Sequence, residues 1–90
     1  RVARGATPLA LDVTFDAESW AEINDARGER LFVGLGAPGK HLSLRGEPPI
    51  AVTFGNADGV RLLVDGERYQ IPTQGRQGKL VRFSIASDEE

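Results

Sequence analysis

The chain has 90 residues, of which 40% are hydrophobic and 27% are charged, and its formal net charge at pH 7 is −2. This composition is typical of one folded domain and excludes a disordered tail. The basic residues are scattered and outnumbered by acidic ones, which argues against nucleic-acid binding. The absence of cysteine excludes disulfides and thiolate chemistry. No run approaches the ~20 apolar residues of a membrane span.

Glycine-containing turns divide the chain into short runs in which apolar and polar residues alternate. This rhythm predicts an all-β fold, a small antiparallel β-sandwich of seven or eight short strands. Residues 1–8 lack the alternation and are expected to be the end of a linker, residues 9–86 to form the sandwich, and residues 87–90 to be an acidic tail. We predict strands over residues 9–15, 19–25, 29–35, 40–45, 50–54, 60–64, 68–71 and 80–86.

The first three strands differ in how clearly they mark a buried face. Leu9 to Phe15 alternates cleanly, as a half-buried strand requires. In the second strand Ile23 is expected to face the core, because its opposite face carries Trp20, Glu22 and Asn24 and a glutamate is rarely buried. Trp20 is therefore expected over an edge or an outer groove. In the third strand Leu31, Val33 and Leu35 are expected to face the core.

Three turns are predicted from their residue types. Gly28 is expected to close a hairpin in a left-handed conformation, and Asp65-Gly66 is a strong two-residue hairpin signal. Pro48-Pro49 lacks the N–H groups that a central strand needs, so it is expected to cross between sheets.

The residues that could carry catalysis or bind a metal are few. His41 alternates with Leu42 and Leu44 and is expected to point outward as a surface imidazole rather than as a general base. The carboxylate pairs Asp16/Glu18 and Asp25/Glu29 stand at turns, where charge mostly serves solvation. We predict that the domain is not an enzyme and holds no cofactor.

Two further binding patterns are weak. Calcium could be held by Asp16, Glu18 and Asp58, but the chain has no D-x-D-x-D-G loop. Gly34 to Gly39 looks like a glycine-rich phosphate loop, but such a loop opens a helix and this one precedes a strand. Both are interpreted as turn chemistry.

Aromatic and polar residues outside the expected core are candidates for an interaction surface. Trp20 and Tyr69 could stack on a sugar or a partner protein, although aromatic residues in β domains usually belong to the core. Phe32 and Leu63 lie opposite the presumed inward faces of their strands and could add apolar contact area or be covered by the second layer. The candidate interaction residues are Trp20, Glu22, Asn24, Phe32, Asn56 and Asp58.

One ordered set of residues goes beyond a generic β domain. It comprises Ser19-Trp20, Ile23, Asp25, Gly28, Leu31, Gly39, Leu44, Gly46 to Pro49, Gly55-Asn56-Ala57, Val60 and Asp65-Gly66. Over residues 9–86 this set resembles the C-terminal domain of RodZ-type bacterial cell-shape proteins.

The resemblance implies a longer protein, and the start at Arg1 rather than Met agrees with an excised domain. Such proteins carry a cytoplasmic helix-turn-helix domain with DNA-binding character, one membrane span and a periplasmic linker. This domain would then lie on the periplasmic side of the inner membrane. The family implies a link between the MreB cytoskeleton and the proteins of cell-wall elongation.

Two functions therefore stay open, with a hydrolase as a poorly supported third. The first is a non-catalytic interaction domain that docks onto wall-synthesis proteins. The second is a module that binds peptidoglycan or another glycan, since aromatics near amides suit sugar stacking and hydrogen bonding. No nucleic-acid partner is expected through this domain.

Overall fold

A computed structural model describes residues 8–74 and 76–86. This part of the chain folds into eight strands and a 3₁₀ turn at Ala57–Gly59. The strands are β1 Leu9–Phe15, β2 Ser19–Asn24, β3 Arg30–Gly36, β4 His41–Gly46, β5 Ile50–Phe54, β6 Val60–Val64, β7 Glu67–Arg68 and β8 Val81–Ile85. The predicted linker, apart from Pro8, and the predicted acidic tail lie outside the described residues.

The strands form two antiparallel sheets of four, so the predicted β-sandwich is confirmed. Sheet A has the strand order β4-β1-β6-β7, and sheet B has the order β3-β2-β5-β8. The connection through Pro48-Pro49 leads from β4 in sheet A to β5 in sheet B. It is the predicted crossing, since proline cannot donate to a sheet ladder.

The core lies between the two sheets and is built by alternate residues of the strands. In β1 the predicted inward set is confirmed, and Ile23 of β2 is fully buried as expected. The largest fully buried side chains are Phe15, Phe54, Leu11, Ile23, Ile50, Ile85, Val13 and Val81. Apolar burial of this kind stabilises a domain by roughly 25 cal/mol per Å² removed from water.

The hairpin between β6 and β7 shows how local sequence fixes a turn. Asp65 and Gly66 have φ angles of 51° and 85°. Positive φ at both central residues is the requirement of a type I′ turn, whose twist matches that of the flanking strands. The Asp65 carboxylate also accepts a hydrogen bond from the Ala10 N–H at 2.9 Å, which ties the turn to β1.

The predicted inward orientation in β3 holds for Leu31 but is wrong for Val33 and Leu35. Val33 and Leu35 point to solvent with 40% and 56% exposure, whereas Phe32 packs against the core. A Cβ on Gly36 would collide with the Phe15 ring, so Gly36 makes room for that ring on the inward side. A register shift opposite Ile23 leaves Leu31 as an extra residue, a β-bulge, and Leu31 also packs against the core.

The seventh strand is shorter than predicted. The strand ends at Arg68, although the Tyr69 N–H still donates a hydrogen bond of 2.9 Å to the Leu62 carbonyl of β6. The Tyr69 ring stacks on Phe83 of β8 at 6.0 Å with an interplanar angle of 14°. Phe83 in turn contacts Phe54 at 6.1 Å. These aromatic contacts bring the chain after β7 of sheet A onto β8 of sheet B. They favour this packing between the sheets over a longer β7.

Candidate functional site

The outer face of sheet B carries the most exposed apolar surface among the described residues. Trp20 is 43% exposed and lies on β2, and its direct cross-strand neighbour on β3 is Leu35. Glu22 pairs in the same way with Val33. Facing side chains in such pairs are about 4.5–5.5 Å apart at Cβ, so the four residues form one continuous surface. We call Trp20, Glu22, Val33 and Leu35 the Trp20 face.

Trp20 is restrained both at its ring and at its backbone. Its indole Nε1–H donates a hydrogen bond of 2.9 Å to the Glu22 carboxylate two residues along the same strand. The Trp20 backbone is held by Gly55, whose N–H donates to the Trp20 carbonyl at 2.9 Å. A Cβ at Gly55 would lie only 3.2 Å from the Trp20 Cβ, so glycine allows this close approach at the base of the side chain. Trp20 is therefore outside the core, as expected, but it lies on the outer face of the inner strand β2 and not over an edge of the sheet.

The other predicted interaction residues of sheet B have different surroundings. The Asn24 side chain accepts a long hydrogen bond of 3.4 Å from Arg30 Nε at the end of the β2–β3 pair. Phe32 is turned toward the core, which corrects the prediction that it lies on the outer surface. The surface position is taken instead by its neighbours Val33 and Leu35.

Asn56 and Asp58 stand at the 3₁₀ turn and are engaged locally. Asn56 donates from its side chain to the Glu18 carbonyl at 3.1 Å and from its backbone to Ser19 Oγ at 3.0 Å. Its Oδ1 is buried with no partner among the described residues. Asp58 pairs with Arg76 at 2.8 Å. The Asn56 contacts fasten the turn to the start of β2, whereas the exposed Asp58 carboxylate pairs with Arg76 in the loop after β7.

The outer face of sheet A is mostly polar, apart from Leu63, and its polar side chains on β1 and β4 hydrogen-bond to one another. His41 is exposed, as predicted, and lies between Thr14 Oγ1 at 3.0 Å and Asp12 Oδ1 at 3.4 Å. Ser43 Oγ donates to the same Asp12 oxygen at 3.1 Å. The side chains are at least partly exposed on an open sheet surface. Catalytic constellations need a nucleophile aligned with its base beside a site that excludes water, which this open surface does not provide.

Two of the carboxylates singled out by sequence, Asp16 and Asp25, have hydrogen-bond partners in the fold. Asp25 is buried, and its Oδ1 accepts the N–H groups of Arg27 at 3.0 Å and Glu29 at 2.8 Å, which shapes the β2–β3 loop. Asp16 forms two hydrogen bonds with Arg61 at 2.8 and 3.0 Å, and these raise the pKa of the Arg61 guanidinium. Within residues 8–74 and 76–86, no cluster of three or more histidine and acidic side chains is placed to hold a metal.

A groove of about 500 Å³ lies beside β6 and β7. Tyr69 forms part of its wall, together with Leu63 and the polar side chains of Gln70 and Thr73. One face of Tyr69 is occupied by Phe83, so the ring is not a free stacking platform. The groove is one concavity of the described surface, and it combines aromatic and polar side chains.

Fold and surface together define a β-sandwich domain with one apolar outer face. The family model of the RodZ C-terminal domain matches residues 12–84, which is most of the chain. The chain therefore belongs to the RodZ C-terminal domain family, a family linked to bacterial cell shape. No solved structure matches the chain. Among the described residues, no helix is long and apolar enough to cross a membrane.

Val33 and Leu35 are the surface residues that sequence reasoning missed. The signal that could have found them is the set of small residues at alternate positions, Gly34 and Gly36, opposite Ala21 and Ser19. Small residues on both strands of a pair leave room for large rings from the facing sheet, which marks that side as the inner one.

Proposed function

We propose that this chain is a non-catalytic protein-interaction domain of the bacterial cell-shape machinery and that it docks through the Trp20 face. The observation that carries the proposal is that three of the four large apolar residues exposed in the described part of the chain, Trp20, Leu35 and Val33, form one continuous surface on the outer face of sheet B. Contiguous apolar surface that stays exposed in a folded domain marks interaction sites more often than scattered single residues do.

The chemistry of the Trp20 face suits a protein partner. Tryptophan is enriched among the few interface residues that contribute ~2 kcal/mol or more to binding. The hydrogen bond from the indole to Glu22 restrains the ring before a partner arrives, so less side-chain entropy is lost on docking. Val33 and Leu35 surround the ring with aliphatic surface that excludes water around such an anchor.

The proposed location and partners of the domain follow from its resemblance to RodZ-type proteins. In this proposal the domain lies on the periplasmic side of the inner membrane, tethered by an upstream span, and couples the MreB cytoskeleton to wall-synthesis proteins. Membership in the RodZ C-terminal domain family supports the role in cell shape.

The periplasmic placement is tested with a fusion. Alkaline phosphatase fused after Ile85 in the full protein would be active if the domain is exported. An inactive but intact fusion would contradict the periplasmic placement.

The docking role is tested by replacing Trp20 with alanine in the full protein, in cells that lack the native copy. We expect loss of rod-shape rescue with little change in the melting temperature of the domain. The control is His41→Ala on the outer face of sheet A, because His41 is exposed and lies outside both the Trp20 face and the groove beside β6 and β7. Full rescue by a folded Trp20→Ala protein would exclude the Trp20 face as the docking surface.

A second candidate function is glycan binding in the groove beside Tyr69. The observation that favours it is a concavity of about 500 Å³ that combines an aromatic ring with amide, hydroxyl and arginine side chains. Titration of soluble peptidoglycan fragments, followed by amide chemical shifts, separates the two functions. Shifts confined to Gln70, Thr73 and their neighbours would support the glycan, and an unchanged spectrum at millimolar ligand would exclude it.

A further inference from the structure

Strand β3 is an edge of sheet B, and the hydrogen-bond pattern shows which of its backbone groups are free. The Gly55 N–H donates to the Trp20 carbonyl, so the backbone groups of Trp20 and Glu22 point toward β5. Because these directions alternate along an antiparallel strand, Ala21 and Ile23 of β2 bond to β3. The partners of Ala21 and Ile23 on β3 are Gly34 and Phe32. The N–H and C=O groups of Val33 and Leu35 therefore point away from the sheet.

The edge of β3 is chemically unlike the other three edges. From Leu31 to Gly36 it contains no charged residue and no proline. Natural proteins protect exposed edges with charge, proline, bulges or very short strands. By contrast, β7 consists of two charged residues, β8 carries Arg82 as its second residue, and the edge of β4 includes His41 and Arg45. At β3 the bulge protects only the end at Leu31.

We infer that β3 pairs antiparallel with β3 of a second copy of this chain, about a two-fold axis at Gly34. In this register Val33 lies opposite Leu35 of the second copy, and each such pair exchanges both N–H···O=C bonds. The outward N–H and C=O groups of Val33 and Leu35 in one copy thus bond to those of Leu35 and Val33 in the other. A register centred on Val33 would instead place Leu35 opposite the bulged Leu31, where pairing is disrupted.

Charge and side-chain chemistry allow this pairing without a conflict. The one charged residue of β3 is Arg30, at its start, and in this register Arg30 falls opposite Pro38, beyond the end of the strand. No like charges therefore face each other across the new pair, a contact that would be destabilising. On the outer surface the row continues from Trp20 through Leu35 to Val33 of the second copy, so the apolar surfaces of both copies merge.

The dimer would extend sheet B into one eight-stranded sheet. The two-fold axis of such a pair runs perpendicular to the sheet, so both Trp20 faces lie on the same side. The assembly would present a doubled docking surface, and linked sites gain avidity without new contacts. The inference rests on the edge of β3 and stands apart from the docking function of the Trp20 face.

Sedimentation equilibrium of the 90-residue chain up to millimolar concentration tests the pairing. We expect a reversible monomer–dimer equilibrium. Val33→Pro removes an N–H that points out of the sheet and leaves the bonds of β3 to β2 in place. It should raise the dimer dissociation constant about tenfold or more, since two such hydrogen bonds are lost per dimer. The matched control is Ser43→Pro at the edge of β4, which should dimerise like the parent chain.

Two additional measurements keep the test decisive if Val33→Pro fails to fold. Leu35→Lys adds a charge to the edge and should abolish the dimer, whereas Leu63→Lys on sheet A should not. Because the chain lacks cysteine, a mixture of Val33→Cys and Leu35→Cys chains should form mainly the mixed disulfide. A chain that stays monomeric throughout, a dimer insensitive to changes in β3, or preferential Val33→Cys self-crosslinking would overturn the proposal. The Trp20→Ala rescue result is unaffected by any of these outcomes.

Discussion

The outer faces of the two sheets share one alternation of side chains but differ in chemistry. On sheet A, Asp12, Thr14, His41 and Ser43 bond to one another, so their polar groups are satisfied by the domain itself. On sheet B, Trp20 and its neighbours on β3 leave apolar surface against solvent. Covering the outer face of sheet B would therefore contribute more favourable binding free energy than covering that of sheet A, because it removes apolar area from water.

The largest effect is expected from breaking the core that supports both faces. Phe15 is fully buried between the sheets, and Phe15→Ala should destabilise the domain by about 3–5 kcal/mol. Chemical denaturation followed by Trp20 fluorescence and by circular dichroism measures this. Both signals should shift together, because the two faces share one core. Separate transitions for the two probes would contradict a single cooperative unit.

A smaller loss is expected where β3 meets the core. Gly36→Ala places a methyl group against the Phe15 ring and should destabilise the domain by about 1–3 kcal/mol through overpacking. Gly39 is the control for glycine replacement, since a Cβ there meets no atom within 4 Å, although its φ of +92° carries its own strain. A Gly36→Ala domain as stable as the parent chain would show that the ring has room to move.

The β2–β3 loop should respond to the loss of its buried acceptor. Asp25→Ala leaves the N–H groups of Arg27 and Glu29 without their acceptor and should cost about 1–3 kcal/mol. Asp25→Asn retains an oxygen at the same place and should lose less. Thermal unfolding at fixed pH measures both. Equal losses would show that the carboxylate charge, rather than the hydrogen bonds, stabilises the loop.

The smallest change in stability is expected on the outer faces themselves. Glu22→Ala frees the Trp20 indole, and Asp12→Ala removes the acceptor shared by His41 and Ser43. Each should change the free energy of unfolding by no more than about 0.5 kcal/mol, as exposed substitutions usually do. Fluorescence anisotropy should show a more mobile ring in Glu22→Ala alone. An unchanged anisotropy would mean that Gly55 and the strand backbone suffice to orient Trp20.

The sequence by itself determined the strands, the turns and the fold class. Alternation with period two and turn residues such as Asp65-Gly66 act over a few neighbouring residues, so they can be read locally. The exposure of Trp20 was also predictable locally, because Glu22 lies on the same face of the same strand and a glutamate is rarely buried.

Only the tertiary structure decided which side of β3 faces the core. Local hydrophobicity favours burying Leu31, Val33 and Leu35, but the Phe15 ring from the other sheet fills the space that Gly36 leaves. A one-residue bulge at Leu31 then fits the strand to its partner β2. Packing between residues distant in sequence therefore overrode the local pattern, and it left Val33 and Leu35 on the surface where we propose that partners bind.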